Sequence, residues 1–311
     1  MRHFSSARTI LICGPTASGK SQLALRLAEA LGGVVINADS MQVYRELRIL
    51  TARPRADEQA RAPHALYGFF SAREAYSAGR YGRDAEQAIA GARAQRRIPI
   101  VVGGTGLYFK VLLEGLSPVP AIDPQVRTHW RTQAGRNPPE HLHALLNARD
   151  HESAARIRPS DRQRIVRALE VLESTGRSLA SWQRVPGCPI VAAEAAVRLL
   201  VVPDRHRHAA AIARRFDEMM AAGALGEVAA LIAQQLSHEL PVMRALGVAP
   251  LAAHVRGQRD LAAAVAAAKA DTRRYAKRQA TWFKRNMITW QAIGTQQVES
   301  FSALDLPFIR S

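Results

Sequence analysis

Eight residues, Gly14-Pro15-Thr16-Ala17-Ser18-Gly19-Lys20-Ser21, constrain this chain more than any others. They fit the pattern G-x-x-x-x-G-K-[ST], in which backbone N–H groups cradle phosphate oxygens, a lysine adds charge and a hydroxyl serves Mg²⁺. The pattern dictates local fold as well as ligand, because it works only between a strand end and a helix start. Both flanks comply. Thr9–Cys13 is a short apolar, β-branched run that reads as a buried strand. Leu23, Leu27 and Leu31 recur at i, i+4, i+8, one face of a helix. The chain is therefore expected to bind a phosphate or diphosphate.

Further apolar runs at Val34–Asn37, Ile98–Val102 and Arg198–Val202 are separated by helix-length segments. That alternation predicts an α/β fold with a parallel sheet flanked by helices. The interval between the last two runs is far longer than a crossover needs. It opens on Ser117-Pro118-Val119-Pro120-Ala121-Ile122-Asp123-Pro124 and closes near Val185-Pro186-Gly187-Cys188-Pro189. Between these breaks the pattern is helical and carries Arg156, Arg158, Arg162, Arg164 and Arg167. We therefore expect a P-loop core from residues 1–117 and 197–311, and an inserted all-helical subdomain at 118–196. After the fourth strand only helices are expected, the long ones at Ala209–Ala233 and Arg259–Asn286, with a loop near Gly247.

Charge narrows the partners. Lys plus Arg number 43 against 26 Asp plus Glu, a formal net charge of +17, and the excess is mostly arginine. The planar guanidinium fork suits phosphates and nucleic acid. A hydrophobic fraction of 48% argues against disorder. Cys13 and Cys188 lie far apart, and Cys13 falls in a buried strand, so a disulfide framework is not expected. The N-terminus has Arg2, His3 and Arg8 but only a short apolar run, unlike a signal peptide. No stretch reaches the length of a membrane span. The expected setting is a soluble, cytoplasmic protein without membrane partners.

Three other stretches bear on chemistry. Val34-Val35-Ile36-Asn37-Ala38-Asp39-Ser40 ends a strand with a carboxylate, where the ligand crevice of a doubly wound sheet lies. Asp39 is either a site residue or a helix N-cap. Ile98–Gly106 ends with Gly103, Gly104 and Gly106 around Thr105, which suits close ligand approach or a plain turn. It lacks the terminal Asp by which nucleotide-hydrolysing P-loop enzymes hold Mg²⁺. Asp204, after Pro203, reads as a loop acid. The last long helix interleaves Arg273, Arg274, Lys277, Arg278, Lys284 and Arg285 with Tyr275, Trp282 and Phe283. Such a pattern fits a nucleic-acid surface or an amphipathic helix with buried rings. Cys and His spacing indicates no metal cluster; His206 and His208 stand alone.

Together these stretches resemble the tRNA dimethylallyltransferases, enzymes that prenylate adenosine 37 beside the anticodon. The resemblance rests on Gly14–Ser21, Asp39-Ser40-Met41-Gln42-Val43-Tyr44, Val102-Gly103-Gly104-Thr105-Gly106-Leu107-Tyr108, Asp161-Arg162-Gln163-Arg164-Ile165-Val166-Arg167-Ala168-Leu169-Glu170-Val171, Arg215-Phe216-Asp217 and Tyr275-Ala276-Lys277-Arg278-Gln279-Ala280-Thr281-Trp282. It implies transfer of a dimethylallyl group from dimethylallyl diphosphate to N6 of adenosine 37, with Mg²⁺, a tRNA anticodon stem-loop as partner and a monomeric enzyme. It implies catalytic roles for Asp39, Thr105 and Arg215. It implies diphosphate binding by Gly14, Pro15, Thr16, Ala17, Ser18, Gly19, Lys20 and Ser21, with Ser21 serving Mg²⁺ through the diphosphate. Contacts to tRNA are implied for Asp39, Ser40, Met41, Gln42, Thr105, Arg127, Gln163, Arg164, Ile165, Val166, Arg167, Met243, Arg244, Ala245, Leu246, Gly247 and Val248. The chain departs from the family's usual Gly-Thr-Ala-Lys-Pro at Leu50-Thr51-Ala52-Arg53-Pro54, and from its usual Gly at Glu46. Without the resemblance, a small-molecule P-loop kinase and a non-catalytic RNA-binding module both remain open.

Overall fold

A computed structural model describes residues 8–306. Arg2, His3 and the outer limits expected for the core lie outside the described residues. In chain order the elements are β1 (Thr9–Cys13), α1 (Lys20–Leu31), β2 (Val34–Asn37), α2 (Ala56–Arg61), β3 (His64–Ala65), α3 (Ala78–Ala94), β4 (Pro99–Gly103) and α4 (Gly106–Glu114). Then come α5 (Pro124–Arg136), α6 (Pro139–Arg149), α7 (His151–Arg156), α8 (Arg162–Thr175), α9 (Leu179–Gln183) and β5 (Ala196–Val202). The chain continues through α10 (Arg205–Ala221), α11 (Ala224–Ala233), α12 (Val248–Val255), α13 (Leu261–Asn286) and β6 (Gln291–Gly294). Contacts divide it into two compact units, Glu114–Pro189 and the remainder.

The larger unit is an α/β fold around one parallel sheet of order β3-β2-β4-β1-β5-β6. β1 is central, pairing Ile12 with Val102 of β4 and with Leu199 of β5. Buried on both faces, it is apolar at every position after Thr9, as parallel strands are. Ile10 and Ile12 pack with α1 and the C-terminal segment around Val298 and Phe301. Leu11 and Cys13 face the other core, built from α3, α4 and α10 to α13. A two-residue period in β1 thus feeds two separate cores. Cys13 is buried and Cys188 exposed; both are free thiols.

The smaller unit is helical, with its own core of Trp130, Leu142, Leu146, Ile165 and Leu169. Side chains of Asp123, Asp150, Asp161 and Ser178 cap four of its helices, each accepting from a first-turn N–H. The division differs from the expected 118–196. Ile190 and Val191 both donate backbone bonds to Leu112, and Val191 is fully buried in the larger unit's core.

Three expectations need correction. The sheet has a strand after the fourth, because β6 pairs with β5, Ile293 opposite Val201. Its sequence, Gln-Ala-Ile-Gly, buries one side chain and carries no strand pattern. The run Ala209–Ala233 is two helices, broken at Gly223 with φ 101°. β3 is only a two-residue addition beside β2. Asp204 is more than a loop acid: it caps α10, accepting from His206 and Arg207 N–H. No helix among the described residues is long and apolar enough to cross a membrane.

Candidate active site

The phosphate loop hangs from the end of β1. Gly19 turns into α1 with φ 87°, and no side chain caps that helix. Its first-turn N–H groups, which have no helical acceptor, are therefore free to meet an anion. Lys20 is 9% exposed, and its Nζ donates to the Pro15 carbonyl at 3.2 Å. Burial pushes its ammonium down to about 8; Arg215 adds to that shift, while Asp39 and Cys13 oppose it. Ser18 Oγ is buried without a hydrogen-bond partner, an orphan that a phosphate oxygen would satisfy. Ser21 is exposed on the first turn of α1.

Remote residues fix the loop's shape. Thr16 N–H donates to Gln279 Oε1 at 2.9 Å, and the Thr16 carbonyl accepts from His208 Nε2 at 2.8 Å. A carbonyl only accepts, so His208 carries its proton on Nε2. Arg215 Nη1 reaches Thr16 Oγ1 at 3.4 Å. Behind the loop, Thr295 Oγ1 donates to the Ser18 carbonyl at 3.4 Å.

Asp39 lies where β2 and β4 end side by side. Asn37 accepts the Asp39 N–H at 2.8 Å and donates to its carbonyl at 2.9 Å. Asp39 Oδ1 accepts the Met41 N–H at 2.9 Å, which is a local turn and not a helix cap, since no helix follows. Thr105 Oγ1 accepts the Ser40 N–H at 3.0 Å and donates to Ser40 Oγ at 3.3 Å. Gly103 is required there: a Cβ on it would sit 2.0 Å from the Ala38 carbonyl oxygen. Lys20 and Arg215 both feel the Asp39 charge, although burial is the larger influence on each and holds the Arg215 guanidinium down. Tyr67, Tyr108 and Tyr275 also surround Asp39. Burial first and its carboxylate second push their phenols up, so all three stay protonated. The arrangement sets a carboxylate beside a cationic phosphate seat.

That constellation can be set against known proteins. The IPP transferase family profile matches residues 42–286, and the isopentenyl transferase profile residues 7–64. The chain belongs to this family. The tRNA dimethylallyltransferase of Parvibaculum lavamentivorans is 51% identical over 302 residues, covering 97% of this chain and 96% of that one. That of Methylobacterium nodulans is 54% identical over 284 residues, covering 91% and 93%. The full-length tRNA isopentenylpyrophosphate transferase of Bacillus halodurans superposes with a TM-score of 0.67 at 29% identity, over 94% of each chain. A eukaryotic dimethylallyltransferase acting on tRNA gives 0.76 at 26% identity, over 92% of this chain and 73% of that one.

As a member of this family, the chain still holds several expected tRNA contacts in other roles. Gln42 spends its amide on the Thr51 and Ala52 carbonyls at 2.8 and 3.0 Å, bracing the neighbouring loop. Ile165, Val166, Ala245 and Val248 are core residues and offer no side chain to RNA; Gly247 is buried too. Met243 and Leu246 are half-buried. Arg127, Gln163, Arg164 and Arg244 are exposed, and Arg167 is half-buried beside Glu170 at 3.7 Å. The α13 pattern resolves toward the amphipathic reading. Phe283 is buried, and Trp282 packs where a Cβ on Gly106 would fall 2.1 Å from its ring.

The departures from the family's usual residues are accommodated. Leu50 is buried against Gly247, and Glu46 accepts the Ala72 N–H at 3.0 Å. Glu227 of α11 gathers the N–H groups of Ile49 and Leu50 at 2.9 and 2.8 Å, and that of Arg48. Sequence reasoning missed Gln279, His208, Tyr67 and Tyr275 as site residues. Gln279 and Tyr275 lay inside a motif already noted, but only the tertiary fold brings them to the loop.

Proposed function

We propose that the protein transfers the dimethylallyl group of dimethylallyl diphosphate to N6 of adenosine 37 in tRNA, leaving N6-isopentenyladenosine and diphosphate. One observation carries this reading: the Asp39 carboxylate lies within the electrostatic reach of Lys20 and Arg215, at a phosphate loop that Arg215 touches and whose buried Ser18 Oγ has no partner. A diphosphate seat beside a carboxylate suits a reaction in which diphosphate departs while a weak nucleophile loses a proton. Family membership supports the same reading.

The N6 lone pair of adenine is delocalised into the ring, so it attacks poorly. Asp39 accepts a proton from N6 as the N6–C1 bond forms and the C1–O bond to diphosphate breaks. The bonding pair leaves on diphosphate. Loop N–H groups, Ser18 Oγ, Lys20 and Arg215 stabilise that growing charge, with Thr16 and Thr105 lining the path. Tyr67, Tyr108 and Tyr275 stay protonated and do not compete with Asp39 as bases. Among the described residues no cluster of acids could hold a metal ion. The Ser21 hydroxyl, exposed on the first turn of α1, would meet a Mg²⁺ that arrives with the diphosphate and would neutralise leaving-group charge. Adenosine 37 lies in a loop, so extruding it costs only about a few kcal/mol. The exposed Arg127, Gln163, Arg164 and Arg244, with the half-buried Arg167, then bind the anticodon stem-loop, in the cytoplasm where tRNA resides.

The test is incubation with unmodified tRNA, Mg²⁺ and labelled dimethylallyl diphosphate. Label should enter the RNA and digest to a prenylated adenosine from position 37. Phosphorylation of a small metabolite from ATP, with no label in RNA, would overturn the proposal.

A further inference from the structure

Gln279 of α13 is 6% exposed, and its carboxamide meets two backbone groups from different parts of the site. Oε1 accepts the Thr16 N–H at 2.9 Å, and Nε2 donates to the Gly104 carbonyl at 2.8 Å. The amide orientation is dictated by these partners, since a backbone N–H only donates and a carbonyl only accepts. Thr16 belongs to the phosphate loop. Gly104 lies between Gly103, which abuts Ala38, and Thr105, which is bonded to Ser40. A Cβ on Gly104 would fall 2.4 Å from Gln279 Nε2 and 3.5 Å from Asp39 Oδ2. Its missing side chain is what admits the amide beside the carboxylate.

Resting on the function proposed above, we infer that Gln279 is a positioning residue that sets the separation between the diphosphate seat and Asp39. It acts through the Thr16 and Gly104 backbones and holds neither substrate itself. Only glutamine meets the requirement. An apolar side chain leaves a buried N–H and a buried carbonyl unpaired, asparagine is a methylene short, and ionised glutamate cannot donate to Gly104. Displacement at C1 needs N6 and the departing oxygen aligned, and a misplacement of about 1 Å costs on the order of 100-fold in rate. The signature is a loss in kcat, with binding largely kept.

The experiment compares kcat and KM for dimethylallyl diphosphate and unmodified tRNA, with thermal melting, in the wild type and three variants. Wild-type transfer decides the functional reading by itself; Gln279 is judged only from variants relative to wild type. Gln279→Met keeps the volume and loses both bonds, so kcat should fall about 10- to 100-fold while either KM moves less than about threefold. Gly104→Ala displaces only the flexible end of Gln279 and should repeat this kcat-selective loss, which keeps the test open should Gln279→Met melt early. Gln279→Glu retains the acceptor, and its carboxylic acid form regains the donor. Its kcat relative to wild type should therefore rise as pH falls from about 8 to about 6. Wild-type kcat in both Gln279→Met and Gly104→Ala would overturn the inference. So would a loss expressed wholly in KM, or a Gln279→Glu ratio that does not change with pH.

Discussion

Around the phosphate loop, Lys20 and Gln279 are nearly closed to solvent and Thr16 is held by three residues from distant parts of the chain. On α8 the opposite holds. The Arg164 side chain is 75% exposed and pairs at 3.3 Å with Asp161, the residue capping its own helix. Among the charged residues of α8 Glu170 alone is buried, drawing Arg131 and Arg167 toward it at 3.6 and 3.7 Å. Exposed pairs of this kind contribute about 0–1 kcal/mol, so α8 can present its cations at small cost to stability. The loop's groups are coupled, and losing one shifts others. On the proposed function, chemistry is concentrated in a few groups around the phosphate loop, while RNA affinity is spread over many exposed ones.

Breaking the buried side should produce the largest effects. Asp39→Ala is expected to lower kcat by about 100- to 10,000-fold, the range for a general base, with tRNA affinity kept within about threefold. A filter-binding assay beside the label-transfer assay checks both; equal loss of turnover and affinity would make Asp39 structural. Lys20 gives the next effect. Burial lowers its value from the usual lysine range to about 8, so the free enzyme loses the ammonium earlier than an exposed lysine would. If donor binding needs the charged form, kcat/KM for the donor should be maintained just below pH 8 and fall as pH rises through 8, approaching tenfold per unit. Lys20→Met should lower kcat/KM and remove that limb from the pH profile.

The exposed side should respond weakly and additively. Arg164→Gln and Arg167→Gln are each expected to weaken tRNA binding a few-fold and reduce the salt slope by about one, leaving kcat at saturating tRNA unchanged. An unaltered slope would remove α8 from the RNA surface. The least effect on turnover is expected at Leu50, which is buried and packs on Gly247. Leu50→Ala should cost about 2–5 kcal/mol of stability through the cavity it leaves, read as a lower melting temperature with normal kcat.

How much of this was legible follows from how local each signal is. β1, β2 and the loop between β1 and α1 were readable because strand pattern, loop glycines and helix face follow one another directly along the chain. β6 was not, because four residues with one buried side chain contain no period. The helix break at Gly223 needed a positive φ that an alanine-rich context conceals. Asp39 was readable as a strand-end carboxylate, but its partners were not. Lys20 and Arg215 lie far from Asp39 in the chain, and 263 positions separate Thr16 from Gln279. For α8, the alternation of arginines with Ile165, Val166 and Leu169 already implies two faces. Assigning whole motifs to RNA overlooked that half of each motif must be core.

The central place of β1 has a consequence for assembly. It precedes both of its neighbours, which are residues 99–103 and 196–202, and the Glu114–Pro189 unit is translated between them. An apolar strand must therefore wait with both edges open while much of the polypeptide is still being made. Such long-range closure slows folding and exposes aggregation-prone surface in the meantime. The phosphate loop is anchored to the end of that strand and braced by Gln279 and Thr295, so an early motif matures only when the last helix and strand arrive.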